Sequence, residues 1–379
     1  MEGIPFNKPS LVGYEFSFLE EALKRGQLSG DGYFTKRCNE RIAKLSGSPA
    51  ALLTHSCTAA LEMAAILCDL KPGDEVIMPS FTFVSTANAV VLRGATPMFV
   101  DIDKRSLNID PNQVEAAITP HTRAIFAVHY AGFPAEMDRL NQIARAHGLM
   151  VIEDAAQALG STYKGRPAGS LADIAAFSFH ETKNIISGEG GAITVNRQDL
   201  VERSEIIREK GTNRSRFLRG QVDKYTWCDL GSSFLPGELV AAFLFAQLEQ
   251  EEVIRQTRLA LFDRYYSAFA DLEQRERVSL PWHPDDVTGN GHMFYLLMRD
   301  IDDRDALIAH LREAGIIAPF HYVPLHSAPG GRRFGRTEGD LPVTDAAYSR
   351  LIRLPLYFAL GDEIERVIDV TRTWLSANP

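Results

Sequence analysis

Short apolar runs alternate with segments of helical spacing along the first part of the chain. Helices are predicted at residues 15–25 and 34–45, before the first strand. Beyond them, strands and helices are predicted in turn, with strands at 51–54, 75–78, 97–100, 124–128 and 149–152 and helices at 59–67, 83–92, 111–117 and 137–147. Such alternation is typical of crossover connections, which join buried strands into a mostly parallel sheet. The pattern therefore predicts an α/β fold.

The pattern in the second part of the chain predicts further strands and helices, and the last of these form a smaller α/β unit. An apolar strand at 174–179 leads through a polar turn and a glycine-rich reversal into a strand at 192–195, and helical spacing runs from 235 to 272. We then predict strands at 292–298 and 316–322, a helix at 303–313 and an irregular loop at 327–342. Because 379 residues exceed the usual size of one hydrophobic core, we expect a large domain at 1–250, including the N-terminal arm, and a small domain at 251–379.

Polar and small residues cluster where the predicted strands end. Ligands of open α/β sheets bind beyond the carboxyl ends of the strands, so the candidates are Cys57, Thr58, Thr82, Phe83, His129, Asp154, Gln157, Ser178 and Lys183. An amine, a carboxylate and hydroxyl donors are the groups that pyridoxal phosphate requires. The turn at 55–58 precedes a helix and suits a phosphate, although Ser56 or Thr58 as a simple helix cap explains that turn equally well.

Composition restricts the possible partners. A formal charge of −9 and a pI near 5.6 give no general attraction to nucleic acid or to an anionic membrane. The four cysteines have neither disulfide nor metal-ligand spacing, and no apolar run reaches the length of a membrane span. We therefore expect a cytoplasmic protein that binds no metal, no nucleic acid and no membrane.

Three stretches carry a resemblance to a known family. The run 153–157 (EDAAQ), the run 178–183 (SFHETK) and the run 188–191 (GEGG) resemble the DegT/DnrJ/EryC1/StrS sugar aminotransferases. The run 79–89 (PSFTFVSTANA) and the run 324–326 (PLH) fit the same family, so the likeness covers almost the whole chain. It implies a fold-type I pyridoxal-phosphate transferase, aspartate aminotransferase-like, with a mostly parallel central sheet.

The resemblance also implies roles at the cofactor ring. Lys183 would bind pyridoxal 5′-phosphate covalently and move the proton during catalysis, and Asp154 would pair with the pyridine nitrogen. Phe83 would stack on the ring, and Gln157 would lie near the ring oxygen. Without the resemblance, they would be interpreted as a solvated lysine, a turn cap, a core phenylalanine and a surface glutamine.

The cofactor phosphate would be bound by the backbone amides of Cys57 and Thr58 and by the Ser178 hydroxyl, as the resemblance implies. Many family members add an asparagine from the other subunit, whereas Ser233 stands at that place here. The family arrangement is a homodimer with shared active sites, so the basic segment 210–220 is expected to approach the partner's cleft.

For substrate binding, the resemblance points to His180, Arg214, Arg219, His321, Tyr322 and His326. One of the arginines is expected to bind a nucleotide diphosphate, although a solvated basic loop also accounts for them. The runs 178–184, 209–215 and 221–227 resemble the family branch that transfers nitrogen from L-glutamate to C4 of dTDP-4-keto-6-deoxy-D-glucose. Its product, dTDP-4-amino-4,6-dideoxy-D-galactose, serves cell-surface polysaccharide synthesis.

Three alternatives stay open at this point. The substrate could be another keto sugar nucleotide, aminated at C3 or linked to UDP. The chain could be a cofactor-dependent sugar dehydratase, but that branch replaces the lysine by histidine, and Lys183 argues against it. A non-catalytic regulator of the same fold is the third, and the intact set of Lys183, Asp154 and Ser178 argues against it.

Overall fold

A computed structural model describes residues 3–378 of the chain. The helices are α1 Glu15–Arg25, α2 Tyr33–Ser46, α3 Cys57–Leu67, α4 Val84–Val91, α5 Pro111–Ala116, α6 Met137–His147, α7 Gln198–Arg208, α8 Arg214–Leu218, α9 Glu238–Glu249, α10 Glu251–Gln274, α11 Ile301–Glu313, α12 Pro329–Phe334, α13 Pro342–Arg350 and α14 Glu363–Ala377. The strands are β1 Ala51–Thr54, β2 Glu75–Pro79, β3 Thr96–Val100, β4 Thr122–Val128, β5 Met150–Asp154, β6 Thr162–Tyr163, β7 Arg166–Pro167, β8 Ile174–Ser178, β9 Gly191–Val195, β10 Val287–Thr288, β11 Phe294–Leu297, β12 Arg336–Thr337 and β13 Leu351–Leu354. Short 3-10 turns lie at Tyr130–Gly132 and Leu325–Ser327.

The central sheet has the strand order β1-β9-β8-β5-β4-β2-β3-β12. The pairs from β8 through β5, β4, β2 and β3 to β12 are parallel, whereas β9 is antiparallel to both of its neighbours. Consecutive residues of the inner strands contact different cores: Ile125 and Ala127 pack on one face of the sheet, and Ala124 and Phe126 pack on the other. Because both faces of these strands are buried, their sequences are continuous apolar runs.

Helix α2 begins against a buried carboxylate from α9. Glu238 accepts hydrogen bonds from the amides of Gly32 (3.1 Å), Phe34 (2.8 Å) and Thr35 (3.1 Å), and also from the Thr35 hydroxyl. These amides belong to the start of the helix, where no intrahelical partner exists. One side chain thus joins two helices that are about 200 residues apart in the chain.

Two sequence predictions in the last third are wrong. Residues 316–322 form no strand: only Ile316 pairs, with Ile4 of the N-terminal arm. Pro319 lies within this stretch and has no N–H to give to a ladder, and β11 pairs with β13 instead. The loop predicted at 327–342 contains α12 and β12, because Pro329 starts a helical turn and Arg336 and Thr337 extend the sheet edge beside β3.

The helix predicted across 235–272 is divided at Gln250 into α9 and α10. Beyond it, β11 and β13 pair, with α13 packed against β11 and α11 against β13, while α14 packs on α10 and α11. The N-terminal arm reaches this part of the chain, since the Ile4 amide donates to Gly315 O (2.8 Å) and the Ile317 amide donates to Ile4 O (3.0 Å). Within residues 3–378, no helix is both long and apolar enough to cross a membrane.

Candidate active site

A cavity of about 600 Å³ opens beyond the carboxyl ends of the parallel strands. Its walls come from the starts of α3 and α4, the end of β5, the turn after β8 and segments of the last third of the chain. The sequence-predicted residues that line it are Cys57, Thr58, Thr82, Phe83, Asp154, Gln157, Ser178, His180, Lys183, His321 and Tyr322. Its size suits a small organic ligand.

Lys183 lies in a closed turn between β8 and β9. Its amide donates to His180 O (2.9 Å), and the turn is closed where the Glu181 amide donates to Gly188 O (2.9 Å). Burial lowers the pKa of the Lys183 amine, while Cys57 and Asp154 act in the opposite direction. A lowered pKa increases the neutral fraction of the amine near neutral pH, and only the neutral form is a nucleophile or base.

Asp154 ends β5 and is buried, with 5% of its surface exposed. Its Oδ2 accepts a hydrogen bond from the Thr86 hydroxyl (2.6 Å), and its Oδ1 accepts one from the Ala156 amide (3.2 Å). These donors hold the carboxylate at the wall of the cavity that Lys183 also lines. A fixed carboxylate of this kind is a partner for a protonated ring nitrogen.

The start of α3 is a candidate anion site. Ser56 caps the helix by accepting from the Ala59 amide (3.0 Å), so the amides of Cys57 and Thr58 keep no intrahelical partner. Strand β9 passes so close to this turn that a Cβ at Gly191 would lie 2.3 Å from the Cys57 nitrogen. Gly191 pairs with Ser178, and the glycine therefore allows the Ser178 end of β8 to lie beside the helix start.

Gln157 links the sheet end to the far wall of the cavity. Its Oε1 accepts from the Ala131 amide (2.7 Å), which directs its Nε2 toward the Tyr322 hydroxyl (3.0 Å). The Tyr322 ring stacks on His321 with a centroid distance of 3.7 Å, and burial raises the pKa of the Tyr322 phenol to about 12. Phe83 also lines the cavity, and this large aromatic side chain is 57% exposed although it follows a buried strand.

These groups fit pyridoxal phosphate. The chain offers an amine of lowered pKa, a fixed carboxylate, an exposed aromatic face and a set of amide and hydroxyl donors for the phosphate. The Thr58 and Ser85 hydroxyls, 2.8 Å apart, belong to the same donor set. Sequence reasoning missed Ser85 and Thr86, although both lie in the run 79–89 on which part of the resemblance rests.

Arg353 also lines the cavity and was missed in the sequence. Its Nη2 donates to Phe320 O (3.1 Å), and its guanidinium lies 4.3 Å from the ring centroid of Phe6. Its Nε is buried and has no hydrogen-bond partner within residues 3–378. The available signal was one arginine inside the apolar run of β13.

Five sequence-predicted residues lie outside the lining of this cavity. His129 is fully buried, and its Nε2 lies 3.0 Å from a carboxylate oxygen of Glu153. His326 is 2.8 Å from the Ser80 hydroxyl and 3.4 Å from an Asp345 oxygen. Arg214 pairs with Glu209 (2.6 Å) and Arg219 with Glu205 (2.8 Å), while Ser233 forms a bridge with Glu209. Since a single chain does not present a partner's cleft, the roles predicted for Ser233 and the arginines at a subunit interface stay predictions.

Comparison with known proteins gives one consistent family. The model of the DegT/DnrJ/EryC1/StrS aminotransferase family matches residues 10–372. The spore coat polysaccharide biosynthesis protein SpsC of Bacillus subtilis is 34% identical, over 97% of this chain and 96% of its own length.

Solved structures agree with that match. The putative sugar aminotransferase Spr1654 of Streptococcus pneumoniae, known in PLP and PMP forms, superposes with a TM-score of 0.90 at 28% identity, over 99% of each chain. DesI, solved in the presence of its TDP-sugar product, superposes with a TM-score of 0.84 at 32% identity, over 96% of this chain and 90% of its own.

Proposed function

The chain belongs to the DegT/DnrJ/EryC1/StrS aminotransferase family, and on that premise we propose that it transfers the amino group of L-glutamate to C4 of dTDP-4-keto-6-deoxy-D-glucose. The product is dTDP-4-amino-4,6-dideoxy-D-galactose. The fold-type I class predicted from the sequence is confirmed, and so is pyridoxal 5′-phosphate as the cofactor. The chain is a pyridoxal-phosphate-dependent sugar aminotransferase, and the proposal concerns its substrates and residues.

The observation that carries the proposal is that Lys183, Asp154 and the candidate anion site at the start of α3 line one cavity. When bound, pyridoxal phosphate joins primary amines covalently and accepts the electron pair that remains when a proton leaves the attached carbon. Asp154 holds a proton at the ring nitrogen, which increases that capacity. The Lys183 Nζ takes the proton from the α-carbon of the donor, and burial keeps part of the Nζ population neutral for this purpose.

The amino donor is recognised through its carboxylate. Arg353 carries a positive charge in the cavity and has an unused Nε donor. Guanidinium groups bind carboxylates through paired, charge-assisted hydrogen bonds. An α-amino acid such as L-glutamate carries that anion on the same carbon as its amino group, and a keto sugar ring does not.

The sugar nucleotide is supported by both the sequence and the relatives. The runs 178–184, 209–215 and 221–227 resemble the branch that acts on C4 of this keto sugar. DesI was solved in the presence of its TDP-sugar product, and SpsC is named for spore coat polysaccharide biosynthesis. The stacked pair His321 and Tyr322 gives the cavity a polar aromatic wall against which a sugar ring packs.

We also propose a homodimer with shared active sites and the division of the chain into domains 1–250 and 251–379. The segment 210–220, expected to enter the partner's cleft, and the residues that follow it carry exposed apolar groups, with Leu218 at 60% exposure and Trp227 at 79%. A second copy of the chain would cover them, and Arg214, Arg219 and Ser233 would then lie near its cavity. Light scattering of the purified protein tests the dimer, and a monomer at assay concentrations would contradict it.

The test of function is one incubation with product analysis. Purified protein, pyridoxal phosphate, L-glutamate and dTDP-4-keto-6-deoxyglucose are expected to give a C4 amine with an axial nitrogen, identified by mass and NMR. Lys183→Ala is the matched control and should form no product. An equatorial amine or amination at C3 would overturn the proposed product, and conversion of the UDP-linked sugar alone would overturn the nucleotide.

A further inference from the structure

The N-terminal arm, residues 3–13, reaches the cavity although it forms no helix and no strand. Phe6 and Asn7 line the cavity together with Lys183 and Arg353, and both arm side chains are half-buried there. The proposed function assigns no role to either arm residue. A segment placed in this way acts on the reaction through the groups that it contacts.

The arm is held on both sides of Phe6. Ile4 pairs with Ile316, which lies in the segment beside β13. On the other side, Asn7 Nδ2 donates to Glu181 O (3.0 Å), in the turn between β8 and β9. Each anchor is within two residues of Phe6 along the chain, so the backbone that carries the ring has a fixed position.

The Phe6 ring lies over the guanidinium group of Arg353. The distance from the ring centroid to Cζ of the arginine is 4.3 Å. The face of an aromatic ring attracts a guanidinium group, and the attraction is stronger where water is excluded. Desolvation lowers the pKa of Arg353, so this contact lies in a place of that kind.

The remaining contacts of Arg353 leave a donor for a ligand. Its Nη2 donates to Phe320 O (3.1 Å), and Phe6 covers one face of the group. Its Nε is buried and has no hydrogen-bond partner in the described part of the chain. A buried donor without a partner costs free energy, which an anionic ligand in the cavity would recover.

We propose that Phe6 is a positioning residue for the amino donor, and that its ring fixes the guanidinium plane of Arg353 against which the donor carboxylate binds. The inference rests on the proposed role of Arg353 in the donor half-reaction. Paired hydrogen bonds between a guanidinium and a carboxylate require a defined orientation of the two planar groups. An aliphatic side chain in place of Phe6 would fill the space but would not attract the cation. The arm is therefore part of the donor subsite.

The contact is tested first in the apoprotein, without turnover. Protein labelled with 15N-arginine gives Nε–H signals, and Arg353→Met identifies the signal of Arg353 by its loss. An aromatic ring shifts nearby protons above its face upfield, so this signal should move in Phe6→Leu. An Arg353 signal that Phe6→Leu leaves in place would overturn the proposal, whatever donor the enzyme uses.

Kinetics of the donor half-reaction give the second test. Phe6→Leu keeps an apolar side chain and should lower kcat/KM for L-glutamate about 2- to 30-fold, because the correctly oriented fraction of the guanidinium falls by up to the strength of one cation–π contact. Phe6→Tyr keeps the ring and should stay within about twofold of the parent. The reaction of the pyridoxamine phosphate enzyme with the keto sugar nucleotide should also change by less than about twofold. Equal losses in the two half-reactions would overturn the proposal.

The matched control is Phe334→Leu. Arg333 lies over the Phe334 ring at 4.8 Å, so the same kind of pair is broken, but Phe334 is 45% exposed and does not line the cavity. This variant should leave both half-reactions and the Arg353 signal unchanged. A loss equal to that of Phe6→Leu would show that the effect is not specific to the arm, and would contradict the proposal.

A double-mutant cycle separates positioning from a general structural role. If Phe6 acts through the guanidinium, Phe6→Leu should change kcat/KM for glutamate by less than about twofold once Arg353→Met is present. The same loss in both backgrounds would overturn positioning. If Arg353→Met lowers kcat/KM and Phe6→Leu does not, the inference fails while the proposed role of Arg353 stands. If neither variant lowers it, both fail.

Discussion

Removal of the Arg353 guanidinium should weaken the donor half of the reaction and leave the sugar half intact. The group carries a positive charge in the cavity, its Nε has no partner in the described part of the chain, and its Nη2 is anchored on Phe320 O. The Phe6 ring beneath it keeps the guanidinium plane in place. Arg353→Met retains the length and apolar stem of the side chain, and Arg353→Lys retains the charge without the planar fork.

The magnitude follows from the contact that would be lost. A hydrogen bond to a charged group contributes about 1.5–3 kcal/mol, and desolvation by the cavity favours the upper part of that range. Because about 1.36 kcal/mol corresponds to a factor of ten, Arg353→Met should lower kcat/KM for glutamate about 10- to 150-fold. Arg353→Lys should lose less, since a point charge still attracts the carboxylate.

The assay separates the two half-reactions. Enzyme loaded with pyridoxal phosphate is mixed with glutamate, and enzyme loaded with pyridoxamine phosphate is mixed with the keto sugar nucleotide, with cofactor absorbance followed in each. We expect the loss in the first reaction and a change below about twofold in the second. Equal losses in both would assign Arg353 to the cofactor or to the nucleotide diphosphate. An unchanged kcat/KM for glutamate would refute the carboxylate argument.

Three further predictions concern the cofactor site and stability. Gly191→Ala should raise the dissociation constant of pyridoxal phosphate at least about tenfold, because its Cβ would lie 2.3 Å from Cys57 N and displace the anion site; unaltered binding by fluorescence titration would contradict this. Burial lowers the pKa of Lys183 in the folded protein, whereas the lysine of the unfolded chain keeps its proton up to about pH 10.4. The unfolding free energy of the apoprotein, relative to that of Lys183→Met, should therefore rise with pH between the lowered pKa and about 10.4. Urea titrations in which the two unfolding free energies differ by the same amount at every pH would contradict this. Glu238→Gln should cost about 2–4 kcal/mol of unfolding free energy, since an amide places donors against helix amides. The exposed Glu40→Gln on α2, the helix that Glu238 caps, should cost less than about 0.5 kcal/mol, and equal losses would refute the capping argument.

The large sheet was predictable because its strands are buried on both faces and bounded by turns. The prediction at 51–54 agrees with β1, and the prediction at 137–147 agrees with α6, which ends at Gly148 in the left-handed conformation. Residues 316–322 failed because their apolar character arises from packing beside β13 and not from ladder pairing. The glycine at Gly331 favoured the prediction of a loop, but it lies in α12. A glycine is needed there because a Cβ would lie 1.7 Å from Leu325 O.

The cofactor end of the cavity was accessible from sequence because its residues follow strands and lie within recognisable runs. The remaining wall was not. Arg353 and His292 come from strands and loops of the last third, and they face Lys183 only through the tertiary arrangement of the chain. Phe6 belongs to an arm with no periodicity, and its position follows from pairing between Ile4 and Ile316. Long-range contacts of this kind leave no local pattern.

The lining of the cavity does not share the net negative charge of the chain. The protein as a whole carries −9, but among the described residues the carboxylates that line the cavity are Asp154 and Glu189, opposite the cations Lys183 and Arg353. Burial lowers the pKa of both cations, because desolvation outweighs the attraction of the anionic groups around them. The carboxylate of an amino donor would stabilise the charged form of Arg353. The desolvated amine of Lys183 would remain neutral in part, which suits it for proton transfer.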